Sequence, residues 1–268
     1  MNQARTPRDL KLKLGIRTTE GSLDPIPRAL GRRELEPLAP MEGFDGWNAY
    51  EGSFLLPSGK PQVVHLQVSY DANTPSMVES KSFKLYLNAL NDRCFPDRAA
   101  FCATITEDLA HVCGGQVEVR SFAPEQSPRP APLPGETVDK LSLEAASFDS
   151  TKPVLRALPA EGPFCFHSHL LRSLCPVTRQ PDWGSVLFRG EGPRSPDPAA
   201  LLAMVVALRN QEGFHETCCE KLFTYLYRAL DPQRLEVSCY YTRRGGLDIN
   251  PVRVLGYQPH WRAPVWRQ

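Results

Sequence analysis

Cys175 opens the run CPVTRQPDWG and stands seven residues before Asp182, with Pro181 and Gly184 around that carboxylate. Proline and glycine so placed mark a turn that can fold the carboxyl group back toward the thiol. A thiolate is a good nucleophile, but a free cysteine with a pKa near ~8.5 is mostly protonated at neutral pH and needs a proton acceptor beside it. Asp182 could take that proton and pass it to the atom that becomes negative when sulfur adds to an unsaturated carbon. Taken alone, the same pair describes a small buried thiol next to a turn-forming aspartate.

Three further motifs carry chemistry. GFHETCCEKLF, Gly213 to Phe223, puts His215 and Glu216 at an expected helix start, where the helix dipole favours a negative charge. A carboxylate there can accept two parallel donors, such as the ring N–H and exocyclic amine of a guanine-like edge; an ordinary first-turn acid is the plain alternative. VESKSFKLYLN, Val78 to Asn88, gathers Glu79, Ser80, Lys81, Ser82 and Lys84 at another helix start, a place where phosphates bind. Its plain alternative is a solvated helix end. YTRRGGLDINP, Tyr241 to Pro251, sets Arg243 and Arg244 before Gly245 and Gly246. Guanidinium groups on a glycine turn can grip a phosphate, although Gly-Gly is also common in bare hairpins.

With CPVTRQPDWGSV, these motifs resemble, in the same order, the two-module form of NADPH-dependent 7-cyano-7-deazaguanine reductase, the QueF family of queuosine biosynthesis. The likeness runs from about Leu10, through DPIPR at Asp24 to Arg28, to the region of Pro251, and is weakest between Phe122 and Phe166. It implies tandem tunnelling-fold (T-fold) modules and reduction of a ring nitrile to a primary amine with two NADPH and no metal. It also implies roles: Cys175 as nucleophile forming a thioimide, Asp182 as proton shuttle, His215 as proton donor and substrate contact, and Val78, Glu79, Ser80 and Glu216 as substrate contacts. Ser80, Lys81, Arg244 and Gly245 are implied as cofactor contacts, and a homodimer as the assembly. Since Glu79 and Cys175 fall in different modules, a shared site would form where modules meet, within one chain or between chains.

The elements that must position these groups follow from patterning. WNAYEGSFLLPSGKPQVVHLQVSY reads as two strands joined at Pro57 to Lys60, followed by helical recurrence over Ser82–Leu90 and Asp97–Val112. Gly114 and Gly115 stop the second helix, a strand follows over Gln116–Phe122, and a last strand is expected around Lys140–Phe148. The order then repeats: strands over Phe164–Leu174 and Ser185–Arg189, helices over Pro198–Asn210 and His215–Leu230, and strands over Leu235–Thr242 and Leu247–Val254. ALNDRCF with QVEV and ALRNQEGF with RLEV recur at an offset of about 118 residues, as an internal duplication would. The expected fold class is α+β, antiparallel sheets with helices packed on one face. APEQSPRPAPLPGE, 123–136, should be an exposed connection, giving modules over 1–136 and 137–268.

Composition narrows the partners. Thirty-one basic and 30 acidic residues leave a net charge of +1 in 268 residues, so no global field would gather nucleic acid or an anionic membrane. A small molecule, a deazapurine by the resemblance, is the expected partner. The first residues lack an apolar signal core and the longest aliphatic run, Leu201–Leu208, is too short to span a bilayer; a soluble cytoplasmic protein is expected. Eight cysteines without any CxxC pair read as reduced thiols, with Cys94, Cys102, Cys113 and Cys239 as packing residues. No GxGxxG follows a strand and no P-loop occurs. Two other readings of the scaffold are a zinc-dependent cyclohydrolase, with His167, His169 and Cys175 as ligands, and a non-catalytic purine- or pterin-binding protein.

Overall fold

A computed structural model describes residues 21–143 and 155–268. Two units emerge. The first comprises the described residues through Leu30 together with 46–128 and 243–248, and the second 31–45, 129–242 and 249–268. The chain therefore passes between the units several times, whereas the sequence suggested a single border after residue 136.

In the first unit, strand β1 (Glu42–Leu55, its 46–55 portion here) is followed by β2 (Pro61–Asp71), helix α1 (Ser80–Leu90), helix α2 (Arg98–Cys113) and strand β3 (Val117–Phe122), with strand order β3–β2–β1. Both helices form where the spacing predicts. α1 buries Phe83, Tyr86, Leu87 and Leu90, and α2 buries Phe101, Ile105, Leu109 and Cys113 at every fourth position, so one stripe of each meets the sheet. Asp97 caps α2 by accepting from the Ala100 N–H, and Gly114 closes it at φ +73°.

In the second unit, β4 (Gly162–Leu174) and β5 (Pro181–Gly192) form a long antiparallel hairpin. Helices α3 (Pro198–Ala207) and α4 (His215–Leu230) follow, then strands β6 (Arg234–Tyr241) and β7 (Leu247–Leu255, its 249–255 portion here), in the order β7–β6–β5–β4. One face of this sheet meets the helices through a core that includes Leu171, Val186, Phe188, Leu222, Phe223, Val237 and Tyr241. The repeated strand-strand-helix-helix-strand order and one-sided helices are the expected α+β pattern of antiparallel sheets with helices packed on one face.

The duplication is visible in hydrogen bonds. In the first unit, Leu55 N donates to Arg93 O (2.9 Å) and Phe95 N to Leu55 O (2.8 Å); in the second, Leu174 N donates to Gln211 O (2.9 Å) and Gly213 N to Leu174 O (3.0 Å). Each arrangement pins the segment before the second helix to the end of the first strand, and the pinned segments differ by the 118 residues noted in sequence.

Some expectations need correction. Residues 140–143 form turn and irregular backbone rather than a strand, and the remainder of that expected strand lies outside the described residues. In its place Glu136–Thr137 lies parallel to β4 at Phe166–His167. The proline-rich connection is not wholly exposed: Leu133 is buried against Leu187, Tyr240 and Val265, because a single leucine among prolines still finds apolar surface. Cys113 and Cys239 are buried packing residues, but Cys94 is exposed and Cys102 half-buried, and all eight thiols are free. Among the described residues, no helix is long and apolar enough to cross a membrane.

Candidate active site

The second unit contains the cysteine chemistry. β4 ends at Leu174 and β5 begins at Pro181, and the intervening loop is closed by Cys175 N donating to Gln180 O (2.9 Å) and Arg179 N to Cys175 O (2.8 Å). Since Ser173 faces Asp182 in the ladder, Cys175 is the diagonal neighbour of Asp182 on the same face, a relation with Cβ atoms typically about 7 Å apart. The turn lies earlier than Pro181 and Gly184 suggested: both residues, with Asp182, are inside β5, and the chain reverses over 175–180. Asp182 is buried at 4% exposure, whereas Cys175 is half-buried.

Helix α4 brings the next two groups. Its N-cap is Phe214, with no side-chain cap, so the helix opens directly on His215 and Glu216. The backbone pins from Leu174 to Gln211 and Gly213 hold this start against the end of β4. His215 Nε2 lies 3.3 Å from Asp182 Oδ2, and its ring stacks on Tyr241 with centroids 3.7 Å apart and planes 7° from parallel. His215 Nδ1 is buried without a hydrogen-bond partner among the described residues. Glu216 is buried in the first turn, and the N-cap is Phe214.

Three positions escaped sequence reasoning. Ser173 faces Asp182 and is fully buried; strand alternation could have found it. Tyr241, which orients His215, heads a motif that was singled out for its arginines. Cys218 is buried beside Ser173 and Tyr241, and burial pushes its thiol up to about 11 against smaller opposing effects of those two side chains. It is therefore a protonated packing thiol at neutral pH.

The first unit holds the other motifs. Glu79 caps α1, its Oε2 accepting from Ser82 N at 2.7 Å, while Ser82 Oγ donates to Glu79 O and accepts from Asp24 N. Glu79 N donates to Asp24 O, so DPIPR braces the start of ESKSFK. Val78 is buried in a short strand, Ser76–Val78, paired with Pro25–Pro27, and Ser80 and Lys81 are exposed on the first turn of α1. Arg244 and Leu247 bracket a two-residue turn with Gly245 at φ +60° and Gly246 at φ +85°. Both left-handed residues are what the favoured hairpin turn requires. A Cβ on Gly245 would meet Lys84 Nζ at 2.3 Å, so Lys84 lies over this turn and ESKSFK and RRGG converge.

His167, His169 and Cys175 do not converge. The imidazoles neighbour one another, with centroids 5.3 Å apart, but Cys175 follows His169 by six residues along β4, roughly 18–20 Å of strand. Nδ1 of His167 bonds Pro134 O at 3.0 Å and Nδ1 of His169 bonds Ser185 Oγ at 2.8 Å. Among the described residues no group of three or more His, Cys, Asp or Glu side chains is gathered as a metal ion would need.

Comparison with known families decides the class. The model described as nitrile reductase, 7-cyano-7-deazaguanine-reductase N-term, matches residues 17–121, and that described as QueF-like protein matches residues 181–259. The chain belongs to the QueF family. Family membership makes it an enzyme with nitrile reductase domains, and the second match spans Asp182, His215, Glu216 and the Arg243–Gly246 turn. Among solved structures, the apo crystal structure of the archaeosine synthase QueF-Like is 20% identical, with a TM-score of 0.31, over 41% of this chain and 100% of that one.

Proposed function

We propose that this QueF-family protein reduces the nitrile of 7-cyano-7-deazaguanine to the amine of 7-aminomethyl-7-deazaguanine, in tRNA queuosine biosynthesis, through a covalent thioimide on Cys175 and with two NADPH per turnover. The observation that supports the reading is the β4–β5 hairpin, which sets the half-buried Cys175 diagonally from a buried carboxylate that His215 approaches.

In this reading Glu216 receives the donor edge of the heterocycle, and Val78, Glu79 and Ser80 of the first unit are the further substrate contacts that the family resemblance assigns. Asp182 takes the Cys175 proton as sulfur adds to the nitrile carbon, and returns it to the nitrile nitrogen, so the C≡N bond becomes C=N and no charge is left behind. A nitrile carbon is a poor hydride acceptor until this addition. His215, fixed by Asp182 and Tyr241, donates a proton as the sulfur leaves the reduced carbon. Bound NADPH supplies hydride.

The residues present fit a phosphate-bearing cofactor. The Gly245–Gly246 turn is bare because both residues have positive φ; Lys84 lies over Gly245, Arg243 and Arg244 precede the turn, and Ser80 and Lys81 are exposed on the helix start. We extend the proposal to a homodimer acting on a small deazapurine in the cytoplasm, without direct nucleic-acid or membrane contact; sedimentation of the purified protein tests the assembly.

Mass spectrometry of protein mixed with nitrile but no NADPH should show one substrate mass added, on the peptide containing Cys175. The variant Cys175→Ala should show none and lose turnover by at least about 10⁴-fold. NADPH oxidation persisting in that variant would refute the assignment.

A further inference from the structure

The glycine turn of the first unit is held by a device that the reaction scheme does not use. Tyr50 N donates to Gly246 O at 3.0 Å, and Tyr50 Oη donates to Asp248 Oδ2 at 2.6 Å. The other oxygen of Asp248 accepts from Asn48 Nδ2 at 2.8 Å and from Asn48 N at 3.3 Å. Asn48 Oδ1 accepts in turn from Gln67 Nε2 at 3.2 Å and lies 3.1 Å from His65 Nε2. His65 stacks on Tyr50 with ring centroids 4.8 Å apart. Asn48, His65, Gln67 and Asp248 are all buried. The Tyr50 ring is thus fixed at its hydroxyl, at its backbone and on its face. Against it lies the guanidinium of Arg243, 4.8 Å from the ring centroid.

Arg243 is exposed, and an exposed arginine ordinarily loses much rotamer freedom when it grips an anion. A cation stacked on an anchored aromatic ring has given up that freedom beforehand, while its edge N–H groups remain directed outward. Lys84 lies over Gly245 on one side of the turn, whereas Glu51 packs against Gly246 on the other, 3.2 Å from where a Cβ would stand. Positive charge is therefore concentrated at Gly245 and Arg243, while the Glu51 side chain covers the Gly246 side.

We propose that Arg243 reads the 2′-phosphate of the dinucleotide and that Tyr50, fixed by Asp248, is its positioning residue; this rests on the cofactor reading above. Tyr50→Leu removes the ring under Arg243, and Tyr50→Phe retains the ring while breaking only the link to Asp248.

Calorimetric titration with adenosine 2′,5′-bisphosphate and with 5′-AMP reads the site without turnover. Tyr50→Leu and Arg243→Gln should each weaken the bisphosphate about fivefold to tenfold and leave 5′-AMP within about twofold, with Tyr50→Phe in between. In steady state the KM for NADPH should rise by the same factor with kcat unchanged. Arg243→Gln lies on the surface and serves if Tyr50→Leu fails to fold. Equal weakening of both nucleotides, no weakening in Arg243→Gln, or no binding of the bisphosphate by the unaltered protein would overturn the proposal. Adduct formation at Cys175 without NADPH is measured alongside: its absence from the unaltered protein strikes the nitrile-reductase reading, whereas its persistence beside an unchanged nucleotide preference strikes this inference alone.

Discussion

The two units repeat one plan and, in the proposed reading, divide the chemistry. Asp197 caps α3 in the second unit where Glu79 caps α1 in the first, 118 residues earlier. Pro198 then replaces Ser80, so the second unit has lost the ESKSFK-type helix start. Conversely, the hairpin that carries Cys175 has a counterpart at Leu56, where Leu56 N donates to Lys60 O (3.0 Å) and Gly59 N to Leu56 O (2.8 Å). By the same offset, Asp97 and Arg98 stand where the second unit has His215 and Glu216, and Asp97 is spent on capping α2. A duplicated fold thus keeps each chemical motif once, because the backbone needs the pins and caps in both copies but the chemistry needs only one thiol and one acid beside it.

The sharpest way to break this comparison is to move the nucleophile. Placing Leu56→Cys in the Cys175→Ala background should restore neither adduct nor turnover, because among the described residues no buried carboxylate–histidine pair accompanies position 56. An adduct on the thiol introduced there would show that the hairpin alone suffices. The next effect is on the receiving edge. Glu216→Gln turns one of two charge-assisted acceptors into a donor and should lower kcat/KM about 10- to 150-fold, from about 1.5–3 kcal/mol per such bond. If Glu216 were merely a first-turn acid, kcat/KM would stay within about twofold.

The helices differ in what they bury, and that difference has a pH signature. α2 presents an apolar stripe, whereas α4 carries Glu220, almost wholly buried, between Arg32 (2.8 Å) and Arg253 (2.9 Å), the latter also paired with Asp45 (2.8 Å). Burial alone would raise the Glu220 carboxyl, but the charges of Arg253 and Arg32 outweigh it and hold the group down to about 2. A group depressed in the folded state stabilises above its unfolded pKa, here near 4.5, and that contribution fades as pH falls toward about 2. The contribution is on the order of 3 kcal/mol. Urea unfolding should show stability falling between about pH 4.5 and pH 2, and Glu220→Gln should cost about 3–5 kcal/mol at pH 7 while flattening that dependence.

Much of this was legible in the sequence because it is local. The strands of the β4–β5 hairpin are expected over Phe164–Leu174 and Ser185–Arg189, although β5 begins earlier, at Pro181, and α1, α2 and α4 follow from apolar spacing and from Gly114. What was not legible is long-range or breaks a period. Arg32 and Glu220 lie 188 residues apart, so no window of sequence shows why 31–45 joins the second unit. β4 changes register between Ser168 and Leu171, a bulge that lets Phe164 and Leu171 share the buried face despite odd spacing. Asp139 satisfies that bulge, accepting from Ser168 Oγ (2.6 Å) and His169 N (2.9 Å), a role no local pattern assigns. The stacking of Tyr241 on His215 likewise joins a strand end to a helix start and leaves no mark on either segment.

The smallest effect concerns the loop beside the nucleophile. The two hairpins close with the same pair of backbone bonds, the second around a loop one residue longer. At the left-handed position the first unit has Gly59 at φ +79° and the second has Arg179 at φ +59°. A non-glycine residue there costs about 1–2 kcal/mol. Arg179 also pairs with Glu212 at 3.1 Å, but both side chains are well exposed, at 75% and 44%, and such pairs contribute about 0–1 kcal/mol. The strain is therefore at least as large as the pair that accompanies it, and Arg179→Gly should leave thermal stability unchanged or raise it by up to about 1 kcal/mol. If the second hairpin is held for chemistry rather than stability, the same variant should slow adduct formation at Cys175 despite the equal or greater stability, since a freer residue 179 no longer fixes the backbone that accepts at Cys175 O. A variant both more stable and equally reactive would mean that the two loops differ only by drift, and the division of labour would then stop at the side chains of Cys175, Asp182, His215 and Glu216.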